Sequence, residues 1–141
     1  MSPTEEQKKR NADLAVLLVE DNLHNRRIFS GILKHFGFRV SEAEDGEQAL
    51  EMVQVDPPDL ILMDLSLPVM DGWEATRRIK ALDACKDIPV LALTAHAMSG
   101  DRERALDAGC DGYLSKPISP KAVATEVERV LHGGDGSEAP G

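Results

Sequence analysis

Short apolar runs alternate with helical patterns along most of the chain. Three runs are almost unbroken and are flanked by polar or turn residues: Leu14–Val19, Leu60–Met63 and Val90–Leu93. Such runs are typical of parallel strands that are buried on both faces. Phe38–Ser41 alternates apolar and polar side chains instead, which predicts an edge strand with one wet face. Gly112–Ser115 is predicted as a short fifth strand.

Helical periodicity fills the gaps between these strands. Five helices are predicted, over residues 28–36, 47–54, 73–82, 97–108 and 119–131. Gly37 ends the first helix, and Ser119 with Pro120 begins the last one as N-cap and first helical residue. Strands that alternate with helices imply right-handed crossovers and helices on both faces of the sheet. The predicted fold is therefore a doubly wound α/β sheet of five parallel strands in the order 2-1-3-4-5.

One domain is predicted, over residues 14–132. A flexible charged leader over residues 1–13 precedes it, and a flexible tail, residues 133–141 with the sequence GGDGSEAPG, follows it. The 141 residues suit a single domain of ordinary core size. Because only ten residues follow Leu131, we expect no output domain in this chain.

Composition narrows the classes of function. The net charge is −9, with 25 acidic and 16 basic residues, which disfavours direct binding to nucleic acid. The basic pairs Arg26–Arg27 and Arg77–Arg78 are interpreted as solvated helix faces. The apolar runs are too short to span a bilayer, and residues 1–10 do not resemble a signal peptide. Together with two cysteines outside any metal-like spacing, these features predict a cytoplasmic protein.

Polar residues with distinct chemistry follow the predicted strands. They are Glu20 and Asp21 after the first strand, Asp64 after the third, Thr94 after the fourth and Lys116 after the fifth. The carboxyl ends of parallel strands meet at one edge of the sheet, where open α/β proteins build their sites. Three carboxylates in one place repel one another, and a hard cation such as Mg²⁺ removes that conflict. A carboxylate beside such an ion can accept a phosphoryl group, with a hydroxyl and an ammonium group binding its oxygens.

Each of these residues also has an ordinary structural interpretation. Asp21 or Asn22 could cap the next helix, and Asp64 could be a turn residue. Thr94 could simply end a strand, and Lys116 could lie on the surface. It is their joint occurrence at the ends of four strands that favours a common site.

Four segments resemble the receiver domains of response regulators in two-component signalling. The segments are LLVEDN at 17–22, DLILMDLSLPVMDG at 59–72, PVLALTAHA at 89–97 and GYLSKPI at 112–118. They occur in the order and spacing of that family, whose fold is flavodoxin-like. The resemblance extends from about Leu14 to Leu131 and is greater to stand-alone and hybrid-kinase receivers than to those of transcription factors.

The resemblance implies a role for each site residue. Asp64 is the phosphoacceptor, and Glu20, Asp21, Asp64 and the Ser66 carbonyl bind Mg²⁺. Thr94 is the switch hydroxyl and Lys116 the lysine that pairs with the phosphoryl group. Tyr113 matches an aromatic residue that rotates inward on activation, although a core aromatic is an equal interpretation.

The implied partners are proteins. A sensor histidine kinase or a histidine phosphotransfer protein supplies the phosphoryl group, and a downstream protein binds the face of helix 4 (97–108), strand 5 and helix 5 of the receiver pattern. The sequence leaves open whether the protein forms a homodimer. The domain is expected not to be an enzyme, beyond slow autophosphorylation from small donors and autodephosphorylation.

Two alternatives to a stand-alone receiver are a receiver excised from a hybrid histidine kinase and a Mg²⁺-dependent phosphohydrolase. Ser66 disfavours the phosphohydrolase, because serine is a poor general acid. A flavodoxin-like cofactor protein is disfavoured by the negative charges of Glu20 and Asp21.

Overall fold

A central parallel sheet organises the molecule. The computed structural model describes residues 3–65, 72–94, 103, 107, 109–115 and 118–132. The strands are β1 (Ala15–Val19), β2 (Arg39–Ala43), β3 (Leu60–Asp64), β4 (Val90–Thr94) and β5 (Gly112–Ser115). Their order is β2-β1-β3-β4-β5, and all four pairings are parallel. The predicted fold class and strand order are confirmed.

The burial of the strands follows their place in the sheet. β3 and β4 are buried throughout, and β1 is buried from Val16 onward. β2 lies at an edge and buries only Ala43 fully. The prediction placed this strand at Phe38–Ser41, slightly too early, because Phe38 is a core residue that precedes the ladder. Parallel pairing with β1 from Arg39 to Ala43 decides the true limits.

Helices cover both faces of the sheet. Among the described residues they are α1 (Glu5–Asn11), α2 (Leu23–His35), α3 (Gly46–Val55), α4 (Gly72–Lys80) and α5 (Pro120–Leu131). Four of the five predicted helices correspond to α2–α5. Of the helix predicted over residues 97–108, the structure describes Glu103 and Asp107, and both are helical. The tail over residues 133–141 lies outside the described residues. No helix in the described part of the chain is long and apolar enough to cross a membrane.

Two apolar clusters form the core, one on each face of the sheet. Phe29 and Leu33 of α2 and Val123 and Val127 of α5 pack on one face. Ala49 and Val53 of α3 and Ala75 and Ile79 of α4 pack on the other. Alternate side chains of the central strands point into the two clusters, which is the consequence of the period of two along a strand. These clusters hold the carboxyl ends of β1, β3 and β4 side by side.

The ends of two helices agree with the sequence. Gly37 has a φ of 102° directly after the C-cap Phe36, so it supplies the left-handed conformation that ends α2. The Ser119 hydroxyl accepts a hydrogen bond from the Ala122 amide at 3.1 Å, and Pro120 is the first residue of α5. Both predicted helix boundaries are confirmed.

The leader contains a helix, contrary to the prediction of a flexible segment over residues 1–13. Thr4 and Gln7 form a reciprocal capping box at the start of α1. At its end, the fully buried Asn11 donates from Nδ2 to the Phe36 carbonyl at 2.7 Å and to Glu128 Oε2 at 2.9 Å. A seven-residue helix is marginal alone, so these distant contacts stabilise it.

Further contacts join α1 to the rest of the molecule. We call this cluster the leader clasp, and it consists of Gln7, Arg10, Asn11, Glu128 and His132. Asn11 Oδ1 lies 2.7 Å from His132 Nε2, and Gln7 Nε2 donates to Glu128 Oε1 at 3.3 Å. Arg10 and Glu128 form an ion pair at 3.6 Å. The clasp therefore ties α1 to the carboxyl ends of α2 and α5.

Candidate functional site

Three carboxylates meet at the carboxyl edge of the sheet. Glu20 directly follows β1, Asp21 is next to it, and Asp64 is the last residue of β3. One carboxylate oxygen from each residue lies within 4.8 Å of the others. Glu20 and Asp64 are buried, with 1% and 3% of their surfaces exposed, whereas Asp21 is exposed. The predicted convergence of these three residues is confirmed.

The loop after β1 shows which residue caps α2. Asn22 is the N-cap, and its Oδ1 accepts a hydrogen bond from the Asn25 amide at 2.9 Å. The Asn22 amide in turn donates to Glu20 Oε2 at 3.2 Å. Because Asn22 performs the capping, the Asp21 carboxylate is available to the acidic cluster. The alternative in which Asp21 caps the helix is therefore wrong.

The backbone after Asp64 is closely packed. The Leu65 amide donates to the Leu93 carbonyl at 2.9 Å, which extends the β3–β4 pairing by one residue. A Cβ atom on Gly72 would lie 2.4 Å from the Asp64 carbonyl oxygen and 2.7 Å from Leu65 Cα. Only glycine permits this approach of the first residue of α4 to the end of β3. Nothing in the local sequence around Gly72 indicates this contact with the site.

Thr94 and Tyr113 lie on the two strands beyond β3. Thr94 ends β4, is 3% exposed, and pairs in register with Ser115 of β5. Its neighbour Leu93 pairs with Asp64, so Thr94 is one position beyond the level of that carboxylate. Tyr113 is partly buried, opposite Ala92, and packs against the core cluster beneath α3 and α4. Ser66 and Lys116 lie outside the described residues.

The donor set of the acidic cluster fits a hard divalent cation. Its three carboxylate ligands are of the type that Mg²⁺ and Ca²⁺ prefer, and the exposed Asp21 leaves the cluster accessible from solvent. Two buried carboxylates beside a third are costly unless positive charge offsets them. The cluster can therefore hold a metal ion, through Glu20, Asp21 and Asp64.

One basic residue near the site was misinterpreted from the sequence. Arg26 was expected on a solvated helix face, yet only 9% of it is exposed. Its Nη1 atom donates to the Glu20 carbonyl at 3.0 Å. Its partner in the pair, Arg27, is exposed as expected, as are Arg77 and Arg78, which pair with Glu74. Arg26 could have been suspected from its place on the stripe that also contains the buried Phe29 and Leu33, three and seven residues later.

The two cysteines are unsuited to nucleophilic chemistry. Burial raises the pKa of both thiols. The pKa of Cys110 rises to about 11, although a hydrogen bond with Thr76 acts in the opposite direction. The thiolate is the reactive form, so both thiols are expected to be inert at neutral pH.

A surface cleft of about 400 Å³ lies elsewhere, beside α3, and is lined by Leu17, Ser41, Met52, Val55 and Pro58 among others. Of the site residues that the structure describes, Glu20, Asp21, Asp64, Thr94 and Tyr113, none lines this cleft.

Comparison with known proteins identifies the class to which this fold and site belong. Residues 16–128 match the response regulator receiver domain family. The chain belongs to this family. It is a signalling domain of two-component phosphorelay systems rather than a conventional enzyme.

Individual relatives agree with this assignment. The chain is 42% identical over 112 residues to the polar-differentiation response regulator DivK of Brucella anthropi, which covers 79% of this chain and 91% of the relative. It is 40% identical, with a TM-score of 0.78, to the receiver domain of the sensor histidine kinase PA1611 of Pseudomonas aeruginosa PAO1. That match covers 85% of this chain and 98% of the other, whose active-site cleft contains a coordinated magnesium ion.

A further structural match concerns a complex. A chain from the co-crystal structure of the Saccharomyces cerevisiae phosphotransfer protein Ypd1 and the Ssk1 receiver domain is 31% identical, with a TM-score of 0.75. The match covers 81% of this chain and 86% of the other. In that structure, the receiver domain of Ssk1 is bound to a histidine phosphotransfer protein. The family resemblance noted in the sequence is confirmed by the match to the receiver domain family.

Proposed function

We propose that this receiver accepts a phosphoryl group on the Asp64 carboxylate, with Mg²⁺ bound by Glu20, Asp21, Asp64 and the Ser66 carbonyl. The observation that carries the proposal is the convergence of three carboxylate oxygens within 4.8 Å at the carboxyl edge of the sheet. A bound Mg²⁺ would offset the charge of these carboxylates and of the transferring phosphoryl oxygens.

The transfer itself is a substitution at phosphorus. The bond from phosphorus to an imidazole nitrogen of the donor breaks, and a bond from phosphorus to a carboxylate oxygen of Asp64 forms, which leaves an acyl phosphate on Asp64. Thr94 donates a hydrogen bond from its hydroxyl to a phosphoryl oxygen, and Lys116 supplies an ammonium group to another. Attack by water later returns the Asp64 carboxylate and releases inorganic phosphate. Small acyl phosphates can also donate the phosphoryl group to Asp64 in place of the protein donor, but this reaction is slow.

The response follows from the added charge. Thr94 and Tyr113 are on neighbouring strands, β4 and β5, so a hydroxyl drawn toward the phosphoryl group vacates space near the ring of Tyr113. The phosphoryl group favours whichever pre-existing conformation brings Thr94 and Lys116 onto it. The downstream partner then binds a protein surface made of the predicted helix over residues 97–108, β5 and α5, in the cytoplasm.

The donor protein docks beside the acidic loop. Two of the large apolar side chains that are exposed in the described residues belong to α2, Leu23 with 51% and Ile28 with 38% exposure. α2 begins directly after the loop that carries Glu20 and Asp21. Beside the acidic loop, these two side chains would offer apolar contacts to a docking protein. A histidine kinase or a histidine phosphotransfer protein would bind there with its phosphohistidine over Asp64.

Phosphorylation by a small acyl phosphate tests the chemistry. Wild type, Asp64→Asn and Asp56→Asn are incubated with donor and Mg²⁺ and read by intact mass. Asp56 is an exposed residue after α3 and gives a matched control for the same chemical change. We expect one phosphoryl adduct on wild type and Asp56→Asn, lost on Asp64→Asn or with a chelator. An adduct that survives in Asp64→Asn would overturn the assignment of the phosphoacceptor.

Thermal denaturation tests the metal site independently. Mg²⁺ at about 100 times its dissociation constant should stabilise the wild type by about 2.7 kcal/mol, because it binds the folded state alone. Asp21→Asn and Asp64→Asn should lose this gain, whereas Asp56→Asn should keep it. An equal Mg²⁺-dependent shift in all four proteins would show that the ion binds outside the acidic cluster.

A further inference from the structure

Arg26 is a buried cation directly behind the acidic loop. It is the fourth residue of α2, and only 9% of it is exposed. Its Nη1 atom donates to the Glu20 carbonyl oxygen at 3.0 Å. Its Nε atom donates to Glu42 Oε1 on β2 at 3.2 Å. The guanidinium group therefore joins the acidic loop to the edge strand.

The backbone of Glu20 is held on both sides. Its amide donates to the Ala43 carbonyl at 3.1 Å, and its carbonyl accepts from Arg26. Ala43 is the residue after Glu42, so both contacts lead to the end of β2. The Glu20 side chain is held as well, because the Asn22 amide donates to its Oε2 atom at 3.2 Å. The Glu20 carboxylate is thus directed toward Asp21 and Asp64.

This restraint matters most before a metal ion binds. Three carboxylates within 4.8 Å repel one another, and a free loop would relieve the repulsion by moving Glu20 and Asp21 away from Asp64. A loop held in the binding geometry avoids the ordering cost on metal binding. We propose that Arg26 is a positioning residue for the metal site, acting through Glu20, and that Glu42 orients Arg26. This inference rests on the proposed function, since it assumes that the cluster binds Mg²⁺.

Two effects of Arg26 on Mg²⁺ affinity have opposite signs. As a positive charge near a cation site, it would weaken binding by Coulomb repulsion, and its removal would tighten binding. As a positioning residue, it strengthens binding, and its removal weakens it. Loss of groups that orient metal ligands typically costs about 10- to 100-fold in affinity. The sign of the change therefore separates the two roles.

Calorimetric titration of the full chain with Mg²⁺ measures this sign. Arg26→Met keeps much of the side-chain length but removes both donors, and should weaken Mg²⁺ binding about tenfold. Arg26→Lys keeps the charge, but an ammonium group lacks the spread donors of a guanidinium group and cannot bind Glu42 and the Glu20 carbonyl together. We therefore expect an intermediate loss of Mg²⁺ affinity. Glu42→Gln should give a smaller loss of Mg²⁺ affinity. When it is combined with Arg26→Met, it should cause no further loss. Asn11→Ala, in the leader clasp, is the control for general destabilisation.

Two further readouts distinguish positioning from a purely structural role. The Mg²⁺ concentration at half-maximal phosphorylation should rise in Arg26→Met, whereas the adduct yield at saturating Mg²⁺ should stay near that of the wild type. In metal-free protein, the amide of Asn22, which donates to Glu20 Oε2, should exchange hydrogen faster in Arg26→Met than in Asn11→Ala.

Unchanged or tighter Mg²⁺ binding in Arg26→Met would overturn the inference, and so would equal losses in Arg26→Met and Asn11→Ala. If Arg26→Met does not fold, Arg26→Lys and Glu42→Gln decide by the same criteria. A wild type with neither Mg²⁺ binding nor a phosphoryl adduct would instead contradict the proposed function itself.

Discussion

Buried polar groups collect at both ends of the molecule, in opposite arrangements. In the leader clasp, Asn11 has donors and acceptors on every side, from Phe36, Glu128 and His132. At the carboxyl edge of the sheet, Glu20, Asp21 and Asp64 bring three negative charges within 4.8 Å. The clasp joins opposite and complementary groups, whereas the site concentrates groups of one sign.

The difference separates stability from function. Complementary buried groups are expected where a contact holds distant elements together. Like charges gathered in one place lower stability and persist where a ligand of opposite charge uses them. Changes in the clasp should therefore alter stability and leave phosphorylation intact. Changes at the site should alter phosphorylation, with or without an effect on stability.

The largest expected effect comes from Gly72→Ala at the site. The new Cβ atom would lie 2.4 Å from the Asp64 carbonyl oxygen, so the end of β3 or the start of α4 must shift. Overpacking of this kind costs typically about 1–3 kcal/mol and sometimes more. We expect a lower melting temperature together with a reduced phosphoryl yield, measured by denaturation and intact mass.

Two other glycines provide controls for that prediction. A Cβ atom on Gly37 would lie 2.6 Å from the Lys8 carbonyl at a φ of 102°, so Gly37→Ala should destabilise the protein near the clasp yet preserve phosphorylation. Gly31 has nothing within 4 Å of such an atom and lies inside α2, so Gly31→Ala should add about 0.5–1 kcal/mol of stability. A phosphorylation defect in Gly37→Ala equal to that of Gly72→Ala would break the separation.

Asn11→Ala in the clasp is expected to have a smaller total effect than Gly72→Ala, because it lowers stability by a similar amount but leaves phosphorylation unchanged. The substitution removes the side-chain donor to the Phe36 carbonyl and one of the partners of Glu128, which keeps Gln7 and Arg10. A buried polar group that loses its partner costs about 1–3 kcal/mol. Chemical denaturation should show this loss, and acyl-phosphate labelling should match the wild type. Loss of labelling at temperatures where the variant is folded would mean that the two ends are coupled.

The smallest effect concerns the pH dependence of the clasp. Burial, with the nearby charge of Arg10, lowers the pKa of His132 below 6.5, and Glu128 opposes this shift. Protonation then favours the unfolded state, so this contribution to stability is complete above about pH 6.5 and is lost as pH falls toward the lowered pKa. His132→Gln should flatten the stability curve in that window, as measured by denaturation at several pH values. A curve for His132→Gln that keeps the slope of the wild type in that window would contradict this role of His132.

Much of the site could be predicted because each of its residues adjoins a recognisable strand. Asp64 ends β3 and Thr94 ends β4, and apolar runs mark both strands in the sequence. Arg26 and α1 could not be predicted in the same way. The Arg26 contacts join residues 6 and 16 positions apart, and Asn11 reaches Glu128 across 117 positions. Local composition marks such residues as polar and exposed, because it contains no information about what packs over them.

The sequence by itself determined the strand order, the helix ends at Gly37 and Ser119, and the edge of the sheet at which the carboxylates gather. These features depend on apolar periodicity, backbone preferences of glycine and proline, and the chirality of parallel crossovers. Only the tertiary structure decided that the leader forms a helix, that Asn22 rather than Asp21 caps α2, and that Arg26 is buried behind Glu20. The reason is physical: α1 and Arg26 depend on groups far away in the sequence, which come within hydrogen-bonding distance only after the chain has folded. Asp21 and Asn22 are both competent caps, so the local sequence does not distinguish between them.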